Sequence, residues 1–111
     1  MKRGGLLEEL ELRIQASNSI KNEYEKEIQQ LEYWNSQLNY EYEVSYNIFF
    51  ENKYLSPVDF EKLDEYRQCV IDKISINNGE ISKLKEKLKK QETIHVLLTK
   101  CYYMINNCSL Y

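Results

Sequence analysis

Apolar residues recur along this chain at alternating steps of three and four, the spacing of a coiled-coil seam and not the every-second-residue spacing of a strand. In the first half the series runs Leu7, Leu10, Ile14, Ser17, Lys21, Tyr24, Ile28, Leu31, Asn35, Leu38, Tyr42, Ser45, Phe49, Asn52. In the second it runs Phe60, Leu63, Arg67, Val70, Ile74, Asn77, Ile81, Leu84, Leu88, Gln91, His95, Leu98, Tyr102, Ile105. Neither series needs a stutter. The pattern predicts one helix over about 6–53, a turn at 54–56, a second helix over about 57–106 and a frayed C-terminal tail.

The break between the two series has the chemistry of a helix start. Ser56 is placed to cap the first exposed backbone N–H groups, and Pro57 at the first helical position forfeits no hydrogen bond. Asp59 suits the positive end of the helix dipole, and Leu55 and Phe60 flank the cap as a hydrophobic staple. Asn77-Asn78-Gly79 is a weaker break signal, but the apolar spacing passes through it in phase, so it predicts a soft spot inside a helix. Folding the chain back at Ser56-Pro57 sets most polar seam residues against one another: Asn35 on Asn77, Lys21 on Gln91, Ser17 on His95, Ser45 on Arg67. Only Asn52, opposite Phe60, is left unmatched. Apolar layers such as Leu38/Ile74, Leu31/Ile81 and Ile28/Leu84 lie between them. The expected fold is all-α, a long antiparallel two-helix coiled-coil hairpin in a single domain whose polar layers penalise slipped registers.

Composition agrees with solvated helices. Of 111 residues, 30% are charged, and three Gly and one Pro leave little material for a sheet protein's turns. A net charge of −3 argues against nucleic acid as a partner, because phosphate binding needs a basic face. No apolar run approaches the ~20 residues of a membrane span, and Glu8, Glu9 and Glu11 interrupt any signal-peptide core behind Lys2 and Arg3. Cys69, Cys101 and Cys108 lack a C-x-x-C pair and are expected to be reduced thiols in a cytosolic protein. His95 is the lone histidine, expected to be satisfied within the seam. The sequence holds no phosphate loop, no nucleophile elbow and no paired Cys/His. The expectation is therefore no catalytic residue, no metal, no cofactor and no enzyme, since a two-helix seam encloses no substrate pocket.

Charge and aromatics distinguish the two ends. Residues 1–30 with 83–111 carry eleven Lys/Arg against eight Asp/Glu, net +3, whereas residues 31–82 carry four against ten, net −6. The run Lys83, Lys85, Lys87, Lys89, Lys90 is either a solvated face paired with Glu23, Glu25 and Glu27 across the hairpin or a basic end steered into an acidic partner. Tyr33, Trp34, Tyr40, Tyr46, Phe50 and Tyr66 lie outside the seam at the turn end. Trp34 and Tyr66 flank it and can cover it; the remainder favour a contact surface.

The stretches Leu31-x-Tyr33-x6-Tyr40-x-Tyr42 before the turn and Leu55-Ser56-Pro57-x2-Phe60-x2-Leu63-x2-Tyr66 after it, continued by Ile74, Ile81 and Leu84, resemble the FliJ/YscO family. These are the central stalk proteins of type III secretion systems, and the small size and Asn/Tyr-rich composition look most like the invasion-type SpaM/InvI branch. The resemblance implies a stalk that enters a hexameric export ATPase by its open end, promotes its activity and reaches the export gate by its turn end, at the cytoplasmic face of the inner membrane. Some members of that family also bind export chaperones, and the resemblance extends that expectation to this chain. The gate-contacting surface would fall on Trp34, Tyr40, Tyr42, Tyr46, Phe50, Phe60 and Leu63. Position and charge would give the ATPase Lys2, Arg3, Arg13, Lys83, Lys87 and Lys90. Two other functions stay open: a small coiled-coil chaperone or adaptor for secreted proteins, and a four-helix scaffold of two hairpins using Ile71, Ile76, Ile94 and Leu97. The stalk is expected to be a monomer when free, with no direct membrane insertion.

Overall fold

The computed structural model describes residues 3–51 and 57–108, with side chains at 4–48 and 57–108. The expected N-cap Ser56, the expected turn at 54–56, Leu55, Asn52, Lys2, and the side chains of Arg3, Phe49 and the candidate contact Phe50 lie outside that description.

Two long α-helices pack against each other as an antiparallel hairpin: α1 over Arg3–Glu51 and α2 over Pro57–Cys108. Pro57 opens α2, and Asp59 stands in its first turn, where a negative charge favours the exposed amides. α1 begins ahead of the predicted residue 6. Gly4 and Gly5, each about 1 kcal/mol poorer than Ala in a helix, continue its helical N-terminus.

Burial follows the seam. Every described seam position of α1 is buried or half-buried, and so is every one of α2 except Phe60; outside the seam only Leu6 and Thr99 are equally withdrawn from water. Phe60 is 42% exposed. Seam packing is shallow, as expected when each helix has a single neighbour. Val70 is 2% exposed and the other buried apolar residues (Leu10, Ile28, Ile81, Leu84) are 7–9% exposed.

Contacts divide the hairpin into two units. The middle unit takes Ile28–Lys83, and the terminal unit takes α1 up to Glu27 with α2 from Leu84. In the middle unit, α2 stays helical through Asn77-Asn78-Gly79. The reason is visible in the side chains: Asn77 Nδ2 donates to Asn35 Oδ1 at 2.9 Å, and Asn35 Nδ2 donates to Asn78 Oδ1 at 2.9 Å. Asn35 thus satisfies two α2 residues with one amide, and the segment with the poorest helix propensity is held from across the seam. The expected Asn35/Asn77 layer forms, and it recruits Asn78 from outside the seam.

Candidate functional site

Two polar layers differ from the expected pairing. In the first, Ser45 and Arg67 each bond to Tyr42. Ser45 Oγ donates to the Tyr42 carbonyl of its own helix at 2.8 Å, and the Arg67 Nη2 donates to Tyr42 Oη at 3.0 Å. The guanidinium carbon stands 5.0 Å from the Tyr42 ring centroid and 5.2 Å from that of Tyr46. A seam cation is thereby held by two aromatic faces, contacts worth about 0.5–2 kcal/mol each. In the terminal unit Gln91 Nε2 donates to Ser17 Oγ at 2.8 Å, displacing both the Ser17/His95 and the Lys21/Gln91 pairings. A seam knob sits among four residues of the facing helix, so a long side chain selects the best acceptor within that hole. Ser17 offers an acceptor oxygen; the ammonium of Lys21 offers only donors. His95 is half-buried, and its Nδ1, expected to be satisfied, is buried without a hydrogen-bond partner.

The predicted contact residues of the middle unit separate into three shallow grooves. Trp34 lines the first, about 360 Å³, with Gln37, Leu38, Lys73, Ile76 and Asn77. Tyr40 and Leu63 share the second, about 290 Å³, with Glu41, Val44, Ser45, Ile48 and Tyr66. Tyr42 and Tyr46 line the third with Glu43 and Asn47. Trp34, Tyr40, Tyr46 and Phe60 are all substantially exposed, whereas Tyr42 and Leu63 are half-buried seam residues. Tyr66 Oη donates to Glu41 at 2.9 Å, and this bond, followed by desolvation and the nearby carboxylate charge, raises the Tyr66 pKa. Val44, Ile48 and Ile76 join these grooves without having been singled out together. Their signal was apolar character just to one side of the seam.

The terminal unit presents different chemistry. Arg13 is exposed and pairs with Glu9 of its own helix at 2.9 Å. Lys87 and Lys90 are exposed in this unit, and Lys83 is exposed in the middle one. Among the described residues none of these three lysines forms an ion pair, so pairing with Glu23, Glu25 and Glu27 does not account for them. Tyr102 Oη donates to Glu11 at 2.8 Å, which raises the Tyr102 pKa ahead of the carboxylate charge. Its ring meets Tyr103 edge-on, with centroids 5.8 Å apart. Cys69, Cys101 and Cys108 are exposed and form no disulfide.

Among the described residues, no group of three His, Cys, Asp or Glu side chains is placed to hold a metal ion, and no helix is long and apolar enough to cross a membrane. What the surface offers chemically is open apolar grooves bordered by single charges, suited to side chains of a large partner. No family model, curated protein or solved structure matches this chain.

Proposed function

We propose that this protein is a non-enzymatic central stalk component of a type III protein secretion system, working at the cytoplasmic face of the inner membrane. Its terminal unit enters a hexameric export ATPase and promotes hydrolysis, and its middle unit contacts the export gate. The observation that carries this is the contrast between the units. The terminal unit presents Lys87 and Lys90 without ion pairs, joined by Lys83 at the edge of the middle unit. The middle unit gathers the larger set of exposed aromatics, Trp34, Tyr40 and Tyr46, along open grooves. Basic side chains without intramolecular partners are available to an acidic pore lining, and rigid aromatics beside shallow grooves are the usual anchors of a protein contact. The test is co-purification with the ATPase, with its hydrolysis rate measured with and without the hairpin. Binding that weakens in a Lys83→Glu/Lys87→Glu/Lys90→Glu variant is expected. An unchanged rate with no ATPase or gate ring in the eluate would sink the proposal.

A second function, an adaptor for secreted proteins, is favoured by the groove beside Trp34, whose lining is predominantly apolar and open. It predicts capture of an aggregation-prone client, lost in Trp34→Ala/Tyr40→Ala/Tyr46→Ala while helicity stays intact.

A further inference from the structure

Outside the seam, the exposed apolar residues of each helix favour one flank of it over the other. With the heptad written a to g and Leu7 and Phe60 at a, positions g and c flank the seam on one side and e and b on the other. In the middle unit the g/c flank carries Trp34, Val44, Ile48, Tyr66 and Ile76, each between 39% and 66% exposed. The first two grooves open on this flank. The e/b flank of α1 reads Gln29, Glu32, Ser36, Asn39, Glu43 in the same unit, with Tyr46 its exception. The terminal unit repeats the pattern on its own, with exposed Ile20, Ile94, Leu97 and Met104 on the g/c flank. Ile71, Val96 and Tyr103 of α2 depart from it, and Leu12, Tyr33, Tyr40 and Val58 stand at f, on neither flank. A second apolar stripe beside the first is the signature of a helix with two helical neighbours, as in a four-helix bundle.

We propose that the g/c flank binds a second copy of this chain, the two hairpins lying side by side about a two-fold axis along the helices, each α1 against the α2 of the second copy. Charge selects this occupant and this orientation. On the flank, α1 contributes Glu23, Glu27 and Glu41, and α2 contributes Lys73, Lys83, Lys87 and Lys90 among its lysines, with Asp59 and Glu80 its acidic exceptions. Arg13, the basic residue of α1 there, is already matched by Glu9. Laying α1 on α2 of the second copy sets Glu23 opposite Lys87 of the second copy and brings Glu41 within a turn of Lys73 of the second copy. It also stacks Trp34 on Ile76 of the second copy and Val44 on Tyr66 of the second copy. Laying α1 on α1 would oppose acids to acids, and α2 on α2 lysines to lysines, both repulsive. Because each contact recurs through the two-fold, the surface is self-complementary and closes at two copies. The seam alone leads to the expectation of a free monomer; the flank leads to a dimer of the free chain, which must part before Trp34, Lys87 and Lys90 can meet the gate and the ATPase.

Sedimentation equilibrium of the full chain, with no other protein present, tests this independently of the stalk proposal. The expected mass is twice 13.4 kDa. It should fall to the single-chain value in Ile76→Lys/Ile94→Lys, whose exposed positions leave the helicity unchanged by circular dichroism. The polar-flank control Asn22→Lys/Ser36→Lys should keep the wild-type mass. A wild-type chain that sediments at 13.4 kDa up to its solubility limit overturns the proposal, as does equal dissociation of both variants. Orientation is read from Trp34→Cys mixed with Ile76→Cys, each with the native cysteines changed to Ser. A mixed disulfide as the main product is expected, and a Trp34→Cys homodisulfide in its place overturns the arrangement.

Discussion

In the middle unit, three asparagines share two inter-helix hydrogen bonds and an arginine lies against two tyrosine rings. Among the described seam residues of the terminal unit, a single glutamine–serine bond links the helices, with an exposed tyrosine–glutamate bond at the seam's edge. The two units bury similar apolar layers, so the difference lies in how the register is held. The middle unit satisfies several buried polar groups at once, and a slip by one turn would orphan all of them. The terminal unit risks one seam bond, so its register rests more on apolar packing. Buried polar groups of this kind contribute specificity more than stability.

The most severe way to break this comparison is to put an unpaired charge in one unit only. Val70→Asp should cost on the order of 5 kcal/mol, comparable to the whole stability of a small domain. Hydrogen exchange should then show protection lost first in the middle unit, and Leu10→Asp should produce the reverse order. A milder change sharpens the point about register. Asn35→Leu strands the Asn77 amide donor and the Asn78 acceptor and should cost about 1–3 kcal/mol in urea unfolding. Gln91→Leu removes one donor from Ser17, which is 2% exposed, and should cost about 1 kcal/mol. If the two losses come out equal, the middle unit has no special hold on register. The smallest effect is alkaline. Tyr66 and Tyr102 have pKa values raised above 10.0 in the folded chain by their bonds to Glu41 and Glu11. The stability these bonds contribute is therefore complete below pH 10.0 and is lost as the pH rises through the raised folded values. Alkaline unfolding of Tyr66→Phe and Tyr102→Phe should lack that component, one in each unit.

The seam was legible because three-four spacing has one geometric solution, a pair of helices meeting along that stripe; burial reproduces it at Leu10, Ile28, Val70, Ile81 and Leu84 alike. The Asn35/Asn77 layer was legible for the same reason. Partners of long polar side chains were not. Gln91 and Arg67 each reach several facing residues, and the choice among them depends on acceptor chemistry and not on spacing. Asn78 was missed because it stands outside the seam and enters only through the second donor–acceptor pair of Asn35. The aromatic contact residues were found as a set by composition, but their division among three grooves depends on heptad position: Trp34 at g, Tyr40 at f and Tyr46 at e face different directions. Ile76 was visible as a surplus apolar residue, Val44 and Ile48 were missed, and their common flank emerges only once the seam is fixed.

Asn78 also bears on how the chain ages. An asparagine followed by glycine is the dipeptide most prone to deamidation, because the next backbone nitrogen can attack the side-chain carbonyl carbon, expel its amide nitrogen as ammonia and close a succinimide ring, which water then opens. In the hairpin the Gly79 nitrogen sits inside α2, and the Asn78 side-chain oxygen is engaged by Asn35. Ring closure requires that turn of helix to open. The Asn78-Gly79 bond therefore acts as a chemical clock for local unfolding: its deamidation, read by peptide mass spectrometry, should be slow in the intact hairpin and accelerate in Asn35→Leu before any global loss of helix is visible. A rate unchanged by that substitution would show that the asparagine cluster does not guard the helix at this point.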